Sequence, residues 1–303
     1  MTATILRPRW PIVPTVVSQH PFTLTATTTT PAETVTITRL TVNSPMTLYW
    51  GDGQSQVLPA NSTAAISHVY ATAGAYQIVL HDARRITQLH LDNAKFGGLN
   101  TAQLAQSRIT YFMVNSITGS TINTQHMAGW TPTHWHLHSM PAGGTYTINT
   151  QHMSGWTPTY WYLHSMPAGG AYTINTQHMS GWTPTDLRLF SMPAGDTSLT
   201  IAADDFAGFV RCTSFYCHNN GLTTTQVDAL LWGLYQAASS RSVSGGTINL
   251  GGSNAAPSGT FQAATSCPVT VATPGKEIAH ELLNNGCGGI NLGRVWATVT
   301  FTA

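Results

Sequence analysis

The sequence predicts a mainly β protein in which a small β-sandwich leads into an array of repeated short strands. Three observations predict it. Between residues 26 and 83, short alternating apolar runs are separated by Gly, Asn, Pro and Asp. From residue 122 a 26-residue unit recurs: "INTQHMAGWTPTHWHLHSMPAGGTYT" (122–147) is followed by "INTQHMSGWTPTYWYLHSMPAGGAYT" (148–173) and by a third copy running to Ala194. Apolar residues at clear helical spacing are confined to two late stretches, 222–239 and 276–286.

In chain order, residues 1–25 are Pro-rich and without clear periodicity, which reads as an arm that docks onto other subunits. The module at 26–83 then offers strands at "TVTITRLTV" (34–42), "MTLYW" (46–50), "AAISHVY" (64–70) and "AYQIVL" (75–80). Its "YWGDGQ", followed by "HVYATAGAYQIVL", resembles a PKD-type immunoglobulin-like domain over Tyr49–Leu80. The resemblance implies a WGDG turn closing a hairpin in a spacer or binding module. Asp52, flanked by two glycines, reads as a turn former rather than a metal ligand.

Residues 84–303 read as the repeat array and its cap. "ITQLHLDNAKF" (86–96) and "CTSFYCHNNGL" (212–222) follow the pattern LxxLxLxxNxL, which resembles a leucine-rich repeat. The resemblance implies a solenoid with a parallel sheet, one strand per coil. Matching apolar pairs are Ile109 and Tyr111, Trp135 and Leu137, Trp161 and Leu163, Leu187 and Leu189, then Ile248 and Leu250. The Asn of that pattern is replaced by Met140, Met166 and Met192, which leaves the backbone path at this corner open. Val227, Leu230, Leu231, Leu234 and Tyr235 fit a helix beside a late coil, and 276–286 with 294–302 read as a closing helix and strand.

Composition excludes several function classes. Of 303 residues, 42% are hydrophobic, enough for a core, while only 8% are charged and the formal net charge is +1. Without a Lys/Arg cluster, nucleic acid is not an expected partner. No run approaches the 18 apolar residues of a membrane span, and prolines interrupt the start "MTATILRPRWPIVP", so neither membrane insertion nor a secretory leader is expected. Four cysteines are too few for a disulfide framework: Cys212 and Cys217 read as small buried hydrophobes, and whether Cys267 pairs with Cys287 stays open. "IAHELL" lacks the second histidine of HExxH, and no paired carboxylates or nucleophile elbow occur, so no enzyme, cofactor or metal is expected.

The drift between copies points elsewhere. Successive strand residues face opposite sides, so if Trp135 and Leu137 enter the core, His134, His136 and His138 face solvent. The same reasoning exposes Tyr160, Tyr162 and His164, then Asp186, Arg188 and Phe190, then Tyr216 and His218. Two of the four differences between the first two copies fall at these positions, and the third copy changes almost only there. The replacements are aromatic, His or Arg, types enriched at binding surfaces. Neutral drift at exposed sites is the competing reading; against it, Thr147, Asn149, Thr150 and Gln151 are polar yet invariant. His126, His152 and His178, and Trp130, Trp156 and Trp182, recur once per unit and are expected to stack on their copies, the imidazoles neutral and hydrogen-bonded.

The expectation is a non-enzymatic structural and recognition protein, a phage tail or capsid-surface component presenting a concave strip to a host-surface protein or glycan. An extracellular adhesin and a self-assembling filament or sheath subunit are the alternatives, and a homo-oligomeric assembly is expected.

Overall fold

The computed structural model describes residues 20–206, 208–238, 240–284 and 296–302. Its strands are β1 (Phe22–Thr28), β2 (Glu33–Ile37), β3 (Arg39–Val42), β4 (Met46–Tyr49), β5 (Ser55–Leu58), β6 (Ile66–Tyr70), β7 (Gly74–Leu80), β8 (Ile86–Leu91), β9 (Phe96–Gly97), β10 (Tyr111–Asn115) and β11 (Thr121–Asn123). There follow β12 (His134–His138), β13 (Thr145–Asn149), β14 (Tyr160–His164), β15 (Ala171–Asn175), β16 (Asp186–Phe190), β17 (Thr197–Thr200) and β18 (Ser214–Tyr216). The chain closes with helix α1 (Thr224–Ala238), β19 (Thr247–Leu250), helix α2 (Gly275–Asn284) and β20 (Thr298–Phe301). The protein is mainly β, with antiparallel sheets first and parallel sheets after.

In the first part, period-two alternation builds an antiparallel sheet of order β5-β4-β7-β1-β9 and a β2-β6 ribbon. β1 turns Phe22, Leu24 and Ala26 inward, so residues 22–25, read from sequence as the end of the arm, belong to this sheet; residues 1–19 lie outside the described residues. The β4-β5 turn needs its first glycine: Gly51 has φ +88° and a Cβ there would sit 2.6 Å from Gln77 O.

The single strand expected over 34–42 is instead two strands in different sheets, β2 pairing β6 and β3 pairing β8. The apolar phase slips between them: Val35 and Ile37 point inward, then Leu40 and Val42, so one pleat cannot bury all four. Thr38 sits at the break and donates to Asp92 Oδ1 at 2.6 Å.

The repeats build a nine-stranded sheet, order β20-β19-β18-β16-β14-β12-β10-β8-β3, parallel throughout except for β3 at its edge. One apolar core runs continuously from Phe22 to Trp296. Equivalent residues of successive units pair directly here, His134 with Tyr160 and Tyr160 with Asp186. A second, four-stranded parallel sheet, β11-β13-β15-β17, slips two residues against the repeat, so that Ile122 lies beside Tyr146 rather than beside its equivalent Ile148. The core pair expected at Ile109 and Tyr111 is Phe112 and Val114, in register with Trp135 and Leu137; Ile109 is buried before the strand, and Tyr111 faces the other side.

The corner left open by Met140, Met166 and Met192 turns through Ser139, Ser165 and Ser191, each at φ +51°, with the methionines buried. Ser139 N–H donates to His164 O at 3.2 Å and Ser165 N–H to Phe190 O at 3.2 Å, tying each corner to the next unit. Where Asn is present it bonds backbone between units: Asn220 Nδ2 donates to Leu189 O (2.7 Å), and Asn254 Nδ2 to Cys217 O (2.8 Å) and Leu250 O (2.8 Å). α1 opens with a reciprocal cap, Thr223 N–H donating to Gln226 Oε1 (3.0 Å) and Gln226 N–H to Thr223 Oγ1 (3.4 Å), and buries Val227, Leu230, Leu231 and Leu234. α2 buries Ile278, Ala279 and Leu282. The closing strand begins at Thr298; residues 294–295 of the run expected there lie outside the described residues. No helix among the described residues is long and apolar enough to cross a membrane.

Candidate binding face

The parallel register stacks like positions of neighbouring strands at the strand spacing of about 4.8 Å. On the side of the nine-stranded sheet away from Trp135, Leu137, Trp161 and Leu163, this produces three columns of side chains. The first holds Tyr111, His134, Tyr160 and Asp186; ring centroids are 4.8 Å apart for Tyr111–His134 and 4.6 Å for His134–Tyr160. The second holds His90, Met113, His136, Tyr162, Arg188 and Tyr216, with His136 and Tyr162 stacked at 3.9 Å. The third holds His138, His164, Phe190 and His218, stacked at 4.5, 4.2 and 4.3 Å. All eleven residues that the sequence places on the outer face lie in these columns.

Their exposure differs from the expectation. His136 is 5% exposed and Asp186 7%, both buried, and the other nine are half-buried. Stacking is the reason: each ring covers the faces of its neighbours, so ring edges and polar tips, rather than flat faces, point outward. Asp186 is also committed. Its carboxylate accepts from Arg188 Nε (3.1 Å) and Nη2 (2.8 Å) and from Tyr162 OH (2.9 Å). Arg188 in turn lies between the rings of Tyr162 (4.5 Å) and Tyr216 (5.4 Å).

Burial disfavours the charged imidazolium, so the histidines of this face titrate below their usual range. His136 is lowered to about 3 by desolvation and then by His134, His138, Arg188 and His90. His164 is lowered to about 4 by desolvation, His138, Arg188 and His218. His90, His134, His138 and His218 are also lowered, chiefly by desolvation. Burial, with the Asp186 hydrogen bond second, raises the Tyr162 phenol. At neutral pH the face therefore carries uncharged imidazoles around one Asp–Arg pair. His136 Nε2 and His218 Nδ1 are buried without a hydrogen-bond partner.

Sequence reasoning missed four members, Met113 of β10 among them. Arg39 caps the first column, its guanidinium 4.3 Å from the Tyr111 ring; Tyr111 was read in the wrong frame; and His90, between Leu89 and Leu91, shows the same alternation as His136.

The other repeated residues serve the scaffold. His126, His152 and His178 do not stack on their copies; their Nδ1 atoms lie 3.2, 3.2 and 3.3 Å from Oγ1 of Thr101, Thr124 and Thr150 in the preceding unit. Trp130, Trp156 and Trp182 are buried against the strand aromatic of the unit before, Phe112 (5.4 Å), Trp135 (6.2 Å) and Trp161 (5.7 Å). Thr150, expected among exposed polar positions, is fully buried. It accepts from Asn175 N–H (2.9 Å) and donates to Asn175 O (3.0 Å), while Asn149 Oδ1 accepts from Gln151 N–H (2.9 Å). The invariance of Asn149 and Thr150 is explained by these backbone hydrogen bonds and so does not bear on whether the face is selected.

Asp52 accepts from Gln54 N–H (3.0 Å) within its turn and lies 2.7 Å from His68 Nε2, in an open groove of about 710 Å³ whose hydroxyls, on Thr72 and Tyr76, bond each other at 2.8 Å. No group of three or more metal-ligating side chains occurs among the described residues. Cys212 and Cys217 are buried free thiols, both pushed up to about 12 by desolvation. Cys267 is disulfide-bonded; Cys287 lies outside the described residues. Comparison of the chain with protein-family models, with curated proteins and with solved structures finds no match.

Proposed function

We propose that this chain is a non-enzymatic recognition protein: a PKD-type immunoglobulin-like module leading into a leucine-rich-repeat solenoid whose three-column face contacts a macromolecule on a host surface. The observation that carries the reading is the coincidence of two patterns. Two of the four differences between the first two units, and all those of the third unit up to Ala194, fall in β12, β14 and β16, and the outer-row changes among them, His134 and His136 to Tyr160 and Tyr162 to Asp186 and Arg188, line one continuous face. Tyr, Arg and His on rigid strands contribute contact area at small entropic cost. The stacking of most of these rings on one another favours a partner met edge-on over a sugar stacked flat on Trp or Tyr.

The setting we infer is the surface of a virus particle, as a tail or capsid appendage; a cell-surface adhesin and a filament subunit are the other settings. A protein that stays monodisperse at high concentration fits the appendage, whereas spontaneous tubes would replace it with the filament.

The test of recognition is a variant that strips the face without stranding a charge. Arg188 and Tyr162 must stay, because removing them leaves the buried Asp186 carboxylate unpaired. Tyr160→Ser with Phe190→Ser meets that condition. Host-cell binding should fall by about tenfold or more while circular dichroism holds and the melting temperature moves by only a few degrees. Unchanged cell binding by a folded double variant overturns the proposal.

A further inference from the structure

The face gathers six imidazoles on one side of one sheet: His90, His134, His136, His138, His164 and His218. Around them stand Arg39 from β3, Asp92 just after β8, Tyr111 from β10, Tyr160 and Tyr162 from β14, Asp186 and Arg188 from β16 and Tyr216 from β18. Asp92 lies 3.4 Å from His90 Nε2, and Asp186 is held by Arg188. The fixed charges are thus two arginines and two aspartates, which balance. Protons added to the imidazoles are not matched by any further carboxylate in the columns, so acid turns a neutral face into a cationic one.

We infer that this face is an acid-gated site for a linear anionic polysaccharide, held in mildly acidic solution and released near neutrality; the inference rests on the face being the contact surface proposed above. Three features point to the ligand class. Because stacked rings cover one another's faces, a ligand meets positive aromatic C–H edges and half-buried imidazoles whose two nitrogens both donate once protonated, and both attract carboxylate oxygens. The columns run across the strands at an even spacing of about 4.8 Å, so a polymer with regularly placed carboxylates meets a repeating row of donors. A stiff sugar backbone presents those carboxylates already ordered, whereas an acidic peptide must immobilise long side chains at about 0.5–1.5 kcal/mol each.

Burial supplies the gate. Each imidazole is neutral at pH 7 because its charged form is poorly solvated, and a bound carboxylate replaces that missing solvation. Proton uptake and anion binding are therefore linked: each favours the other, and all of the imidazoles but His136 are half-buried and so open to a ligand, His138 and His164 stacking side by side in one column at 4.5 Å.

The test uses the full chain, with polygalacturonate, its methyl ester and poly-glutamate as probes, by calorimetry at pH 5.0 and 7.5. The inference expects polygalacturonate to bind about tenfold or more tightly at the lower pH, the uncharged ester to bind at neither, and His138→Asn with His164→Asn to weaken the pH dependence by about twofold or more while circular dichroism is retained. Equal affinity at both pH values, equal binding of the ester, an unaffected double variant, or loss of the wild-type fold at pH 5.0 each overturns it. Poly-glutamate binding as tightly as polygalacturonate overturns the polysaccharide in favour of an acidic protein partner. If the Tyr160→Ser, Phe190→Ser variant loses host cells but the wild type ignores all three polymers, the recognition reading stands and this inference fails; if that variant keeps its host cells, the recognition reading itself fails.

Discussion

Within one repeated unit, the corner at residues 149–153 and the strand at 160–164 obey different rules. The corner keeps its sequence because its polar atoms are backbone partners: Asn149 caps Gln151, and Thr150 bonds Asn175 of the next unit through a buried hydroxyl. The strand keeps its inner row apolar, Trp135, Trp161 and then Leu187 beside Leu137, Leu163 and Leu189, while its outer row changes from His to Tyr to Asp, Arg and Phe. The outer positions accept any planar group that stacks on its neighbour at 3.9–4.8 Å. Identity among copies thus reports hydrogen bonding at the corner, and variation at the strand reports a tolerance for flat side chains on which recognition can be written.

The largest break in that contrast comes from the inner row. Trp161→Ala should cost about 3–5 kcal/mol, since the ring is fully buried and stacks on Trp135 at 5.5 Å. Denaturant unfolding measures it, and a loss near 1 kcal/mol would show that the units collapse around the gap. Acid should act next, through the outer row. The unfolded chain binds protons near pH 6.5, but folded His136 does so only at about 3 and His164 at about 4. Stability from these groups is fully present above the unfolded value and is lost as pH falls from 6.5 toward 3, on the order of 5 kcal/mol from His136 alone. A melting temperature flat from pH 7 to 4 would contradict the burial of that ring.

The corner answers to a smaller change. Thr150→Val keeps the volume but leaves the Asn175 N–H without its acceptor, so about 1–3 kcal/mol should be lost although one hydroxyl alone is removed. Thermal melts of the variant check it, and an unchanged melting temperature would mean that water takes the place of the hydroxyl.

The inner and outer rows were legible in the sequence wherever Trp or Leu marked one side of the alternation, as at Trp135 and Leu137. The frame at 109–114 was not: "ITYFMV" is apolar on both parities, and only pairing with β12 selects Phe112 and Val114. β1 was hidden because its threonines fill the outer row while Phe22, Leu24 and Ala26 make a sparse inner one. The break at Thr38 was present as a phase slip in the apolar pattern. Burial of His136 and Asp186 could not be read from one strand, since it arises between strands, from Tyr162 above the imidazole and Arg188 around the carboxylate.

The smallest expected effect is the sharpest test of the outer row's rule. His136 Nε2 is buried without a partner, an unfavourable state for a polar atom, while the ring stacks well on Tyr162. If planarity is all that this position requires, His136→Phe should change stability by less than about 1 kcal/mol at pH 7.5, because the stack survives and the orphaned nitrogen is gone. The same variant should then lose less stability than the wild type between pH 6.5 and 4, since one group whose protonation opposes folding has been removed. Parallel urea titrations at the two pH values read both effects. A variant weaker by 2 kcal/mol or more at pH 7.5 would show that the imidazole is held by a hydrogen bond rather than by its shape.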